Sequence, residues 1–305
     1  MTRVSTMSLQ NTLANAMSRA QQNLADSNIQ LDTQKKVQNY ADLGANTGRV
    51  LSAASMLAQQ QAQSSVAKRV DTTLGFYKVS LGTIDDSMSD LRTKLLKAFG
   101  TGDSADLDSS IQQAFTDLRD ALNTNEAGVP IFAGSQTDSE PFAPQKLSDL
   151  TSLATPGDAF TNDDVRTSAR LSDNVDTQYG IGASDIGTGL VQAFTTLAGL
   201  GSFGPKLTQA QMNGIQTAMG QLDQGLTGLR GVDAKNGDMM NQVEGLGQRA
   251  DARADLLTNV IGDAEDADMG QVATDISTRT SILNASYAAF QKLNNLSLLN
   301  FLTNN

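Results

Sequence analysis

The sequence of 305 residues predicts a mainly α fold: an elongated antiparallel helical bundle, with N- and C-terminal helices paired and a small, mainly β insertion. Three observations lead there. Apolar residues recur at alternating spacings of four and three toward both ends of the chain. A Gly-, Pro-, Asp-, Ser- and Thr-rich middle interrupts them. The apolar content is thin, with 5% aromatic residues and no tryptophan, which suits narrow seams between helices better than a thick core.

The clearest seam is Val70, Leu74, Tyr77, Leu81, Ile84, Met88, Leu91 and Leu95. At 3.6 residues per turn all eight fall on one stripe. One buried stripe does not offset the entropy of ordering so long a helix, so partner helices are required. Upstream, residues 5–34 read as a helix with Leu13, Met17, Ala20, Leu24 and Leu31 on its stripe and Ser27 as a polar interruption. Gly44 and Gly48 break the pattern; a helix resumes near Arg49 and runs to Phe99, with Gly75 and Gly82 as points of close helix approach. Gly100-Thr101-Gly102 ends it. Asp103 or Ser104 is expected to cap the next helix, whose seam is Leu107, Ile111, Ala114, Leu118 and Leu122.

Residues 125–205 change character. Ile131-Phe132-Ala133 is a strand candidate. Ala169 and Leu171, the turn signal Ser172-Asp173-Asn174, and alternating Val175, Thr177, Tyr179 and Ile181 predict a β-hairpin, covered by a short helix over Gly189–Leu200. Thr208 with Gln211 forms a capping box, Leu207 and Met212 its hydrophobic staple, and Pro205 stands just outside. Ile215, Met219, Leu222, Leu226 and Leu229 continue the rod to an expected break at Asn236-Gly237. Val243, Leu246, Ala250, Leu257 and Val260 make one more helix. From Asp268 the tail is helical on Ile276, Leu283, Tyr287, Phe290 and Leu293, and ends in Leu296, Leu298, Leu299, Phe301 and Leu302. The expected domains are 1–40 with 270–305, a terminal assembly domain; 41–130 with 205–269, a rod; and 131–204, the insertion.

Net charge is -11, which argues against nucleic acid or an anionic membrane as partner. With four basic and two acidic groups, residues 1–40 carry +2, and residues 271–305, with two basic and one acidic, carry +1; both ends suit side-by-side packing. Cysteine and histidine are absent, which removes disulfides, thiolate chemistry and the common zinc sites. Met1–Gln10 lacks the apolar stretch of a cleavable secretory signal, and no run of 18 apolar residues suggests a membrane span. Gly199-Leu200-Gly201-Ser202-Phe203-Gly204 matches a GxGxxG pattern but follows no strand. Asp85-Asp86 and Asp163-Asp164 read as solvated charge, and Asp263, Glu265, Asp266 and Asp268 as an acidic joint whose spacing fails the EF-hand pattern. No catalytic residue, cofactor or metal is expected. The terminal stripes are the candidate assembly interface: Leu13, Met17, Leu24 and Leu31 at one end, and at the other Ile276, Leu283, Tyr287, Phe290, Leu293, Leu296, Leu298, Leu299 and Phe301.

Gly128-Val129-Pro130-Ile131-Phe132-Ala133-Gly134-Ser135-Gln136-Thr137, followed by Pro141-Phe142, resembles a motif of the flagellin superfamily, and within it of the hook–filament junction proteins (FlgL, or third hook-associated, type). Leu283-Asn284-Ala285-Ser286-Tyr287 and Leu296–Leu302 resemble the closing segment of that family, Glu265–Asp268 its acidic joint and Arg3-Val4-Ser5-Thr6 its start. Gln34–Gly44 departs from the pattern many members carry after the first helix. The resemblance implies a flagellin-like fold and an extracellular structural subunit of the bacterial flagellum. It implies export without a cleavable signal through the flagellar type III channel, with a cytoplasmic chaperone. Its implied partners are the first hook-associated protein, flagellin and other copies of itself in a ring of about eleven. A flagellin filament subunit is the close alternative; a secreted coiled-coil effector or adhesin, and an enzyme using Asp163 or Asp164, are the others.

Overall fold

The computed structural model describes residues 2–172 and 175–302, without the side chains of residues 2–7, 9, 10, 175 and 293–302. It is mainly α with a small β part. The helices are α1 (Thr2–Thr33), α2 (Thr47–Thr101), α3 (Leu107–Leu122), α4 (Ala183–Gly199), α5 (Gln209–Glu265) and α6 (Met269–Leu302). Two antiparallel hairpins, β1 (Asn125–Glu126) with β2 (Val129–Pro130) and β3 (Ser168–Ser172) with β4 (Val175–Gln178), are accompanied by 3-10 turns at Tyr40–Asn46, Leu147–Ser152 and Pro156–Ala159. The chain divides into two compact units, residues 1–58 with 253–305 and residues 59–252; α2 and α5 contribute to both.

In the unit of residues 59–252 all eight residues of the α2 seam are buried, as are Ile215, Leu222, Leu226 and Leu229 of α5. One apolar cluster joins them to α3 and α4. Antiparallel alignment of α2 and α5 is held by Arg230 on Asp85, at 2.7 and 3.1 Å, and by Arg92 on Asp223. The Thr208 capping box forms as its residue types require: Thr208 N donates to Gln211 Oε1 at 3.1 Å and Gln211 N to Thr208 Oγ1 at 3.2 Å.

Several local expectations are corrected. α5 does not break at Asn236-Gly237; Asn236 is buried, and its Nδ2 donates to the Leu74 carbonyl at 3.1 Å, so the polar residue is a cross-helix contact rather than a helix end. Gly75 and Gly82 face open space. The close approach is elsewhere, where α4 crosses α5: a Cβ on Gly189 would lie 3.1 Å from Gly225 Cα, and one on Gly225 3.0 Å from Leu190 N. The cap of α3 is Asp106, in the left-handed region at φ 64°. Asp103 instead accepts from Ala105 N at 3.0 Å, and Ser104 donates to the Gly204 carbonyl. Ile131-Phe132-Ala133 is a turn, because the positive φ values of Ala127, Gly128 and Gly134 fold the chain tightly on either side of β2. The β3–β4 hairpin forms at Ala169, Leu171, Val175 and Thr177 as alternation predicts, but its second strand ends at Gln178, short of Tyr179 and Ile181; Asp173 and Asn174 of its turn lie outside the described residues. The covering helix starts six residues earlier than predicted, at Ala183, where Asp185 Oδ2 accepts from Gly182 N at 2.9 Å.

Candidate functional site

Within the unit of residues 1–58 and 253–305, α1 and α6 pack on each other. Their contacts run antiparallel. Gln21 Nε2 donates to Tyr287 Oη at 2.7 Å and Arg279 donates to the Asn23 carbonyl; just beyond the two helices Lys35 pairs with Asp266 at 2.6 Å. Leu13, Met17, Ala20 and Leu24 of α1 are half-buried, as are Ile276, Leu283 and Phe290 of α6. Leu31 and Tyr287 are not covered: they are 43% and 39% exposed, beside Ile29 at 37% and Ile282 at 53%. The side chains of Leu293, Leu296, Leu298, Leu299 and Phe301 lie outside the described residues.

Three residues that the apolar pattern missed complete this pair. Ser27 is buried, its hydroxyl donating to the Asn23 carbonyl at 3.1 Å, so the polar interruption is a small residue that satisfies itself on its own helix. Arg279 lies at seam spacing between Ile276 and Leu283, and that placement was its signal. Val272 is buried at the start of α6.

The acidic joint is explained by Lys35 and Lys36. Lys36 N donates to the Glu265 carbonyl at 2.6 Å, Ala267 N to the Gln34 carbonyl at 2.9 Å, and Lys36 Nζ to the Asp263 carbonyl at 3.0 Å. Lys35 reaches Glu265 at 3.4 Å as well as Asp266. The hydrogen bond to Asp266 holds the Lys35 ammonium above its usual pKa, so its contribution is present below the ordinary lysine range and is lost as pH rises above it. Asp268 caps α6, its Oδ1 accepting from Gly270 N at 2.9 Å and Gln271 N at 3.1 Å. These carboxylates thus tie backbone and lysines together where α5 ends and α6 begins.

The motif residues form a second constellation, in the unit of residues 59–252. Phe132 and Ala133 are fully buried; the Phe132 ring lies 5.1 Å from Tyr77 on the α2 seam. Tyr77 donates to the Ile131 carbonyl at 3.0 Å, and burial pushes its hydroxyl up to about 12. Gly134 has φ 67°, and Asp163 occupies the space a Cβ would need. Asp163 accepts from Ser135 N at 2.9 Å, Val165 N at 3.1 Å and the Ser135 hydroxyl; these bonds, chiefly the hydroxyl, lower its pKa to about 2. Pro141 and Phe142 are buried. Asn123 at the end of α3 brackets Phe142, accepting from its N–H at 2.9 Å and donating to its carbonyl at 3.0 Å. The Phe142 ring sits 5.9 Å from Phe115 and 5.5 Å from Phe160.

In the structure these groups hold turns and helices in place. Asp163 is held ionised by a turn, and Asp85 by its place opposite Arg230 is a cross-helix contact. Gly199–Gly204 is the corner between α4 and α5, where Phe203 N is already bonded to the Asp108 carboxylate at 3.2 Å, a setting that repels phosphate. Among the described residues no helix is long and apolar enough to cross a membrane.

No family model and no curated protein matches the chain. Solved structures do. A chain assigned as a flagellar hook-associated protein of Vibrio parahaemolyticus superposes with a TM-score of 0.59 at 16% identity, over 74% of this chain and 100% of that one. FlgL of Bacillus cereus gives 0.55 at 14% identity, over 70% and 98%. FlgL of Xanthomonas campestris gives 0.53 at 11%, over 71% and 99%. The long seams, the crossed glycines and the aromatic bracket around Phe142 therefore build, in a chain of very different sequence, the fold of the flagellar hook-associated proteins.

Proposed function

We propose that this chain is a structural subunit of the bacterial flagellum, an adaptor between the hook side, where it meets the first hook-associated protein, and the flagellin filament. The observation that carries the reading is the α1–α6 pair: the two ends of the sequence fold onto each other, and their stripes remain only partly covered. A two-helix layer gains its remaining apolar burial from neighbours, which couples its ordering to assembly. The assembly face comprises Leu13, Met17, Leu24, Leu31, Ile276, Leu283, Tyr287 and Phe290, continued by Leu293, Leu296, Leu298, Leu299 and Phe301, within a terminal domain of residues 1–40 and 270–305. Residues 41–130 with 205–269 serve as its rod and 131–204 as its insertion. Copies close into a ring of about eleven. The subunit leaves the cell unfolded by the flagellar type III route, its C-terminal helices covered by a cytoplasmic chaperone, and works outside the cell. No catalytic role is proposed.

The junction reading is favoured over a filament subunit by the Phe132-Ala133-Gly134-Ser135 and Pro141-Phe142 motif and by fold neighbours named FlgL. Electron microscopy of cells lacking the protein tests it. Hooks without filaments and flagellin shed into the medium are expected; normal filaments would overturn the proposal. Purified protein that grows long filaments unaided would reassign it as a filament subunit.

A further inference from the structure

The α2–α5 pair within residues 59–252 is unequal along its length. From Tyr77 to Leu95 the buried positions of α2 are Tyr, Leu, Ile and Met with one small polar residue, Ser80, whose hydroxyl is bonded to Thr124 Oγ1 at 3.3 Å; they face Ile215 to Leu229, and both bidentate arginine pairs lie there. Toward residue 59 the filling changes. The buried positions become Gln60, Ser64 and Ala67, at 7%, 3% and 3% exposure. Across from Ala67 stands Gly247, on which a Cβ would lie 3.3 Å from that of Ala67. Gln60 Oε1 is buried with no hydrogen-bond donor among the described residues. The ion pair at this end, Lys68 with Asp251, is one 3.4 Å contact between exposed side chains.

We infer that this pair opens from one end: α2 residues 60–68 separate from α5 residues 243–252 as a local unit while the half between Tyr77 and Leu95 stays closed. The physical causes are three. Small side chains bury little apolar area per turn. A buried acceptor without a donor regains a hydrogen bond to water when the helices part, so opening there is favoured by the group that folding leaves unsatisfied. The exposed ion pair adds little to oppose it. The opening is reversible and partial, and it uncovers Val70 and Val243 without disturbing the aromatic and leucine-rich half.

Hydrogen exchange followed by mass spectrometry on the dilute, full-length monomer tests this. Amides of residues 60–68 and 243–252 are expected to exchange at least roughly tenfold faster than those of 77–95 and 215–230. Helix-end fraying would not produce that minimum, because α2 continues to Thr47. Gln60→Leu combined with Ser64→Ala is expected to slow exchange in these two segments by roughly tenfold and leave 77–95 unchanged. Equal protection along both helices would overturn the inference. So would faster exchange that the double substitution does not slow, since the polar filling would then not be its cause.

Discussion

Gly134 and Asp163 show why the motif needs its residues. A side chain at Gly134 meets the Asp163 carboxylate and two carbonyls 3.1 Å away while holding φ at 67°, so Gly134→Ala is expected to cost about 1–3 kcal/mol, read as a lower midpoint in urea. Asp163 is lowered to about 2 by the Ser135 turn. Its folded pKa lies below the unfolded value of about 3.9, so its stabilisation is complete above that value and is lost as pH falls toward 2. Melting temperature followed from pH 5 to pH 2 should therefore fall less steeply in Asp163→Asn than in the parent chain. A parallel fall would remove Asp163 from the account.

At the scale of elements, the helices differ in what glycine does for them. Gly75→Ala and Gly82→Ala, which meet open space on α2, should each stabilise by about 0.5–1 kcal/mol, whereas Gly225→Ala should destabilise, because its Cβ has backbone atoms of α4 within 3.1 Å. Denaturant titration of the three variants decides it. Leu81→Asp, at a fully buried seam position, loses at least the roughly 2–5 kcal/mol of a leucine truncation and adds an unpaired charge; retention of the parent melting temperature would refute the seam. Period and caps made the long helices legible, since eight apolar residues at alternating four and three spacings fit a helix and no strand, and Thr208 with Gln211 names its own helix start. The insertion was less so. Ile131-Phe132-Ala133 has strand composition, yet its fate was set by positive φ at Ala127 and by an aspartate 30 residues downstream, neither visible in local pattern. Asn236-Gly237 looked like a break for the same reason: the Leu74 carbonyl that accepts from Asn236 Nδ2 lies on another helix.

For the whole molecule, the two compact units imply separable stability. A fragment of residues 59–252 should unfold cooperatively by circular dichroism and remain monomeric, while failing to restore swimming to cells lacking the full chain; rescue of motility would show that the terminal helices are dispensable. The candidate site was legible as an apolar stripe but not as a pair of surfaces. Leu31 and Tyr287 share the period of Leu24 and Leu283, yet only the packing of α1 on α6 decides which of them stay open to solvent. The polar cross-helix contacts also bear on how α2 and α5 find their register within residues 59–252. Repeating leucines would tolerate two long helices sliding past each other by a heptad, about 10 Å. Asn236 Nδ2 donates to the Leu74 carbonyl, but a carbonyl recurs at every heptad; the side chains do not, and a slip of seven residues would carry Arg230 off Asp85 and toward Arg92 or Lys78, so the ion pairs index what the leucines repeat.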